Sequence, residues 1–410
     1  MGLRAWVANI RTATGLSLAA TLTIIKVTGR THNRTAKQII TARHPTQFGD
    51  SGRGTDVAAD HTIGISDIPI SRFELYRGDV TDCYIDWPAP ATILSDGPYS
   101  VGEGYPGDPM DLAKLPGWYE PHVEAWSKAA LPTTVLWFFN SEVGWATIHP
   151  VLVRHGWQYE QLNVWDKGAG HIAGRVNGNT LRRFPTVTEV CAMYSRPAIW
   201  EQPDGAHLTT QQWLRAEWQR SGLPLREANQ ACGVRNAASR KWLTADHLWY
   251  PPSTAEFEAL ANYANEHGRP AGRPYFVLGE QHDRAAAWEC LRYRWNYQHG
   301  ITNVWRCPAV SGTERFRGDG LRAGPGRHNL GAKHSTHANQ KPLKLMRRIV
   351  RACTVPGDVV WEPFGGLCSA AVAAIALGRV PYAAEVIGRF ADLAQQRLDA
   401  AAADTLQWRL

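Results

Sequence analysis

From Phe73 onward, two rhythms of apolar and polar positions alternate along the chain. Short apolar runs read as buried strands: "ATILSD" at 91–96 and "TTVLWFFN" at 133–140, with "YEQLNVWDK" at 159–167 and "TEVCAMYSR" at 188–196 as further strands. Apolar residues at helical spacing fill "GWYEPHVEAWSKAA" at 117–130 and "WATIHPVLVRHG" at 145–156, the second closed by Gly156. Ahead of them, "FELYRGDVTDCYIDW" at 73–87 predicts a short strand, a turn at Gly78-Asp79 and a helix start. Strand, helix, strand, helix implies a parallel α/β sheet covered on both faces.

After about Ala198 the rhythm becomes helical. "TTQQWLRAEWQRSG", "PLREANQACG", "NAASRKWLT" and "TAEFEALANYANEHG" predict helices with no strand between them, an insertion over 200–300. The α/β pattern returns near Gly300. "NQKPLKLMRRIVRAC" reads as an amphipathic helix ended by Pro356-Gly357, and "DVVWEPFGG" as a strand entering a glycine turn. A small-residue helix "CSAAVAAIALG", a strand "VPYAAEVI" and a last helix from Gly388 follow. Residues 1–70 form an N-terminal extension. Within it, "LSLAATLTIIKV" faintly resembles a signal peptide but is short and lacks a small-x-small cleavage site, and residues 30–65 read as irregular.

Charge adds a weak pointer to an acidic partner, since the net charge is +7. The basic residues concentrate at the C-terminal side: Arg306, Arg315, Arg317, Arg322, Arg327 and Lys333 lie in or beside a glycine-rich stretch suited to phosphate contacts, or simply to a solvated loop. Seven cysteines without C-x-x-C spacing suggest neither a zinc site nor a disulfide framework, so a reduced, cytoplasmic protein without a membrane span is expected.

Two constellations carry chemistry. "LSDGPY" ends the buried run at 91–94 on Asp96, Gly97, Pro98 and Tyr99, residues that by themselves make an ordinary turn. "VPGDVVWEPFGGLCSAAVAAIALGRVPYAAEV" is a βαβ unit with a glycine turn at its first strand's end and Glu385 at the end of the second. That acid stands about twenty residues on, where a carboxylate binds the ribose hydroxyls of an adenosine-containing cofactor.

Together these stretches resemble the amino-group DNA methyltransferases. These enzymes methylate the exocyclic amine of adenine or cytosine with S-adenosyl-L-methionine. The resemblance rests on His337, Gln340, Lys341, Pro342 and Leu343, then Pro356-Gly357-Asp358, then Pro363, Phe364 and Gly366, then Glu385. In the first half it rests on Gly78-Asp79 and on Asp96-Gly97-Pro98-Tyr99, which is similar to an Asp-Pro-Pro-Tyr tetrad. The tetrad precedes the cofactor turn, an order similar to the family's beta arrangement. Three positions depart from the pattern: Gly97 replaces Pro, Glu362 replaces Asp, and Leu367-Cys368-Ser369 stands where Ser-Gly-Thr is usual.

The resemblance implies an α/β, Rossmann-like methyltransferase fold with a helical insertion as target recognition domain. It divides the chain into a catalytic half at 71–199, the insertion at 200–300, and a basic loop with the cofactor-binding half at 301–410. It implies Asp96, Gly97, Pro98 and Tyr99 as the catalytic tetrad, and Glu362, Phe364, Gly365, Gly366, Glu385, Gln340 and Lys341 as the cofactor side. Asp96 and the Gly97 carbonyl would accept hydrogen bonds from the amine, Pro98 would stiffen the loop, and Tyr99 would stack on a flipped base.

"LPLREANQACGVRNAASRKWLT" has helix-turn-helix spacing, with its second helix starting near Asn236. Arg235, Asn236, Ser239, Arg240 and Lys241 are candidates for a major groove, although any two-helix hairpin looks alike. Arg175, Arg182 and Arg183 are candidates for phosphates or for a place beside the catalytic pocket, and Arg315, Arg317 and Arg322 for phosphates. The expected partner is double-stranded DNA, with a cognate restriction endonuclease as a further candidate, for a monomer or homodimer. The leading Asp96 favours adenine. Cytosine methylation, methylation of RNA or of protein glutamine, and an inactive nucleic-acid-binding version of the fold remain alternatives.

Overall fold

The computed structural model describes residues 72–100, 109, 111–172, 179–201, 205–278, 283–316 and 339–407. The expected 1–70 extension, Arg175, Arg317, Arg322, His337 and most of the basic loop lie outside the described residues.

The first half runs β1 (Glu74–Arg77), β2 (Thr92–Ser95), α1 (Leu115–Ala129), β3 (Val135–Asn140), α2 (Glu142–Arg154), β4 (Gln158–Asp166) and β5 (Thr188–Ser195). The last part runs β8 (Val304–Arg306), α7 (Leu343–Cys353), β9 (Val359–Glu362), α8 (Ser369–Ala376), β10 (Val380–Glu385) and α9 (Gly388–Gln407). These eight strands form one sheet in the order β1-β10-β9-β2-β3-β5-β4-β8. β2 and β3 are buried along their whole length, as a strand covered on both faces must be. Side chains alternate across β3: Leu136 and Phe138 pack with Tyr119 and Trp126 of α1, while Trp137 and Phe139 pack with Leu345 and Ile349 of α7.

The sheet is parallel as expected except around one strand. β5 runs antiparallel to both β3 and β4. The connection from β4 carries, among its described residues, a single 3-10 turn at Ala169–Ile172 and no helix that would take it across the sheet for a parallel return. In consequence the N-terminal end of β5 lies at the edge where the parallel strands end, with Val190 opposite Asn140.

The insertion also departs from expectation. It opens with an antiparallel hairpin, β6 (Ile199–Glu201) and β7 (His207–Thr209), before its helices α3 (Thr210–Arg220), α4 (Leu225–Ala231), α5 (Thr254–His267) and α6 (Arg284–Glu289). These elements enclose a core of their own around Trp213, Trp218, Phe257 and Trp288. Trp200 of the hairpin stacks flat on Trp213 at 4.0 Å. Buried Glu217 ties the unit together by bonding Arg220, Arg273 and the Phe276 amide.

β9 lies between β10 and β2, where the order of strands along the chain reverses. At such a switch point the loops leaving the two strands diverge and open a crevice. The register, Ile93 with Trp361 and Ala383 with Glu362, brings three features to that edge: Asp96 beyond β2, the Pro363–Gly366 turn beyond β9, and Glu385 closing β10.

Candidate active site

Asp96 is the first residue beyond β2, and its side chain keeps 24% exposure. Tyr99 Oη lies 2.8 Å from Asp96 Oδ1, and Lys341 Nζ lies 2.6 Å from the same oxygen. Both contacts fall on Oδ1, and among the described residues none is made to Oδ2. Glu189, the second residue of β5, stands 3.2 Å from Tyr99 Oη and 3.3 Å from Lys341 Nζ, and its other oxygen pairs with Lys167. Two carboxylates and two ammoniums therefore balance within one cluster.

Burial pushes the Asp96 carboxyl above its ordinary value; Lys341 works against that rise and Glu189 adds to it. Burial also works to raise Glu189, but the ammoniums of Lys341 and Lys167 outweigh it and hold this carboxyl below its usual range. For Lys341, burial opposes the charged form, yet Asp96 and Glu189 more than offset it and keep the ammonium protonated. Tyr99 stays a neutral phenol, raised by burial and then by both acids.

The rest of the tetrad is fixed from beneath. The Pro98 carbonyl accepts from Asn140 Nδ2 at 3.0 Å and from Tyr119 Oη at 3.3 Å. At Gly97 a Cβ would stand 2.5 Å from Tyr119 Oη and 2.9 Å from two ring carbons of Phe364. The departure from Pro at this position thus has a steric cause: Tyr119 and Phe364 occupy the space a side chain would need.

The glycine turn is equally tight. A Cβ on Gly365 would meet Cys368 Sγ at 2.7 Å and the Ala384 carbonyl at 3.0 Å, while the Gly365 amide bonds that carbonyl at 2.7 Å. Gly366 has φ +53° and donates its amide to Glu385 Oε2 at 2.7 Å. Glu385 Oε1 accepts from the Ile387 amide at 2.8 Å. Phe364 packs edge-on against His122 and at a tilt on Trp118. Burial lowers His122 to about 4, so its ring is neutral in this aromatic wall.

Glu362 faces inward. Its two oxygens accept from the Ala370 and Ala371 amides at 3.0 and 2.7 Å, at the start of α8. Burial raises its carboxyl to about 7, against the pull of those amides and of Arg397. Gln340 is also committed within the protein: it accepts from the Phe316 amide and donates to the Glu314 carbonyl, both at 3.0 Å. Of the residues expected on the cofactor side, Phe364, Gly365, Gly366 and Glu385 border the turn. Glu362 supports it from within by bonding the start of α8, Gln340 clamps the chain at 314–316, and Lys341 stands on Asp96.

Sequence reasoning missed Glu189 and Lys167. The available signal was an acid at the mouth of the otherwise apolar run "TEVCAMYS", the mirror image of Asp96 at the end of "ATILSD".

The expected DNA contacts are scattered. Arg182 and Arg183 are exposed between β4 and β5, next to Phe184, which is 95% exposed. Arg315 is half-buried. In the insertion the expected second helix is a single π-type turn, Ala238–Trp242. It stops because Ala238 and Trp242 turn into the core and Asp246 folds the following chain by accepting the Leu248 amide. Arg235, Asn236 and Arg240 remain exposed and Lys241 is half-buried. Ser239, expected outward, bonds Asn229 instead.

The profile of the DNA methylase family matches residues 91–396, which takes in both constellations and the insertion. The chain belongs to the DNA methylase family. Among individual relatives, it is 32% identical over 107 residues to the DNA adenine methyltransferase YhdJ of Escherichia coli K12, covering 26% of this chain and 31% of that protein. It is 36% identical over 89 residues to the type II methyltransferase M.BglII of Bacillus subtilis, covering 20% and 24%. The matched segments thus span about a third or less of those relatives. Among solved structures, PvuII DNA methyltransferase, described as cytosine-N4-specific, is 11% identical and covers 82% of this chain and 95% of its own, at TM-score 0.44.

The methyl donor of this DNA methylase family is S-adenosylmethionine. The glycine turn fits an adenosyl group. Gly365 and Gly366 bring no side chain to the turn, and Glu385 is the buried acid beside it that bonds the Gly366 amide.

Proposed function

We propose that this chain methylates the N6 amine of an adenine flipped out of double-stranded DNA, within a restriction–modification system or as an orphan modification enzyme. The observation that carries the reading is the Asp96 carboxylate at the switch point, with Oδ1 engaged and, among the described residues, no partner on Oδ2. Ser95, the neighbouring hydroxyl that would suit the cytosine type, is fully buried.

The chemistry required of the protein follows from the amine. Its lone pair is delocalised into the base ring, so nitrogen is a poor nucleophile. Asp96 Oδ2 accepts one N–H and the Gly97 carbonyl a second, which favours tetrahedral nitrogen as positive charge develops. S-adenosylmethionine, when bound, supplies an electrophilic methyl on a sulfonium. The nitrogen then sheds its surplus proton to Asp96 Oδ2, which passes it to solvent. Gly365, Gly366, Phe364 and Glu385 hold the cofactor, with Glu385 on the ribose. The Tyr99 ring gives the base a face to stack on.

Arg182, Arg183, Arg315, Arg317 and Arg322 are assigned to phosphates. Arg235, Asn236, Arg240 and Lys241, on the insertion, are assigned to target recognition. Mass spectrometry of nucleosides from DNA of an expressing host tests the reading: N6-methyladenine is expected, and N4-methylcytosine in its place would overturn it.

A further inference from the structure

The Lys341 ammonium sits in a cage. Three oxygens lie around it: Asp96 Oδ1 at 2.6 Å, and Tyr99 Oη and Glu189 Oε2 each at 3.3 Å. Three aromatic rings close the remaining sides, with the Tyr99 and Phe139 centroids at 5.4 Å and the Trp165 centroid at 5.8 Å. The side chain is 7% exposed. Its backbone is also fixed: Gln340 before it clamps the chain at 314–316, and Pro342 after it caps α7. An ordinary lysine reaches for water with its charged end. This one is held away from water and aimed at the carboxylate on which the amine must dock.

We propose that Lys341, steadied by Glu189, is a positioning residue that keeps Asp96 an ionised acceptor and turns its Oδ2 toward the target amine. The proposal rests on the reading of Asp96 as that acceptor. Asp96 occupies a site where burial alone favours the neutral acid. A protonated Asp96 has lost an acceptor and gained a donor, which is the wrong polarity for an amine. A cation at 2.6 Å opposes this. By occupying Oδ1 it also leaves one orientation of the carboxylate in which Oδ2 is presented. Glu189 holds the ammonium from the opposite side, and Lys167 cancels the charge that Glu189 introduces. The other titratable groups facing the cluster are Tyr99, which donates to Oδ1, the neighbouring Tyr119, Cys191 of β5 and Glu362 of β9.

The experiment follows single-turnover methylation of a duplex oligonucleotide as a function of pH, in wild type and in Lys341→Met, Lys341→Arg and Glu189→Gln. Removing a cation this close to a carboxylate moves its pKa by roughly 1–3 units. The acid limb of the Lys341→Met profile is therefore expected at higher pH by that amount. Lys341→Arg keeps the charge and should leave the limb where it is. Glu189→Gln removes a neighbouring anion and should move it downward. A merely structural lysine would lower the rate equally at every pH, so an unmoved limb in Lys341→Met overturns the proposal. So does an equal upward shift in Lys341→Arg. Where Lys341→Met is too slow for a profile, the carboxyl resonance of 13C-labelled Asp96, assigned with Asp96→Asn, gives the same titration and is judged by the same criterion. Failure of the parent reading looks different: Asp96→Asn would then methylate at the wild-type rate.

Discussion

One methyl group added at position 97 is expected to slow methyl transfer by about 10²-fold with the fold retained. The Cβ of Gly97→Ala would stand 2.5 Å from Tyr119 Oη and 2.9 Å from two carbons of the Phe364 ring. Ordinary contact lies near 3.5 Å, so the space must open by about 1 Å. Tyr119 is fully buried and meets Phe138 edge-on at 5.1 Å, and Phe364 is packed against His122 and Trp118. Tyr119 has no room to retreat and the Phe364 ring is braced by His122 and Trp118, so the tetrad loop gives way and carries Asp96 with it. Overpacking of this kind costs about 1–3 kcal/mol, too little to unfold a domain of this size.

The assay is the single-turnover rate on a duplex oligonucleotide, with thermal unfolding followed by circular dichroism. Tyr119→Phe in the Gly97→Ala background removes the nearer obstacle and should restore part of the rate, while the Phe364 ring still crowds the new methyl. Alone, Tyr119→Phe gives up a 3.3 Å hydrogen bond to the Pro98 carbonyl, which Asn140 still holds at 3.0 Å, and should be mild. Wild-type turnover by Gly97→Ala, or a double variant no faster than it, would refute the steric argument.

Other sites give independent tests. Glu385→Ala strips the acceptor from the Gly366 and Ile387 amides and from the ribose, so calorimetry should show S-adenosylmethionine affinity reduced by at least about tenfold, at roughly 1.4 kcal/mol. Glu362 predicts a pH dependence of stability. Burial raises its folded value from 4.5 to about 7, so the folded chain holds this proton more tightly than the unfolded one. Its contribution is therefore full below about 4.5 and lost as pH rises to about 7. Chemical denaturation should show that slope in wild type and its disappearance in Glu362→Gln. Replacing Arg182 and Arg183 by Ala should reduce the slope of log affinity against log salt by about 0.9 for each phosphate that is no longer neutralised. Phe184→Ala removes the exposed ring beside them and should slow methylation of paired targets. A mismatched target base, already easy to extrude, should hide the defect.

The strands and helices around the site were legible because burial is periodic and the period is local. "TTVLWFFN" has to be a strand covered on both faces, and the helical spacing in α1 and α7 admits one apolar face each. The tetrad and the glycine turn were legible for a related reason: steric and hydrogen-bonding demands on a few adjacent residues leave a recognisable word in the chain. Gly97, Gly365 and Glu385 are residues whose types their immediate surroundings require.

What tertiary structure decided is everything that depends on direction and on distant partners. Whether β5 runs parallel or antiparallel changes no residue in "TEVCAMYS", yet it determines whether Glu189 stands at the edge that carries Asp96 or at the far end of the sheet. Asp96, Glu189 and Lys341 become neighbours only once β2, β5 and the start of α7 are assembled. The sequence motif places Lys341 beside a cofactor signature, whereas its ammonium points to the carboxylate 245 positions earlier in the chain. The apparent helix at 236–244 likewise gave way to a single turn, since Ala238 and Trp242 were drawn into a core whose other members are remote in sequence. Local spacing determines which elements form; the charge balance of a buried site is determined by which element ends the packed sheet brings together.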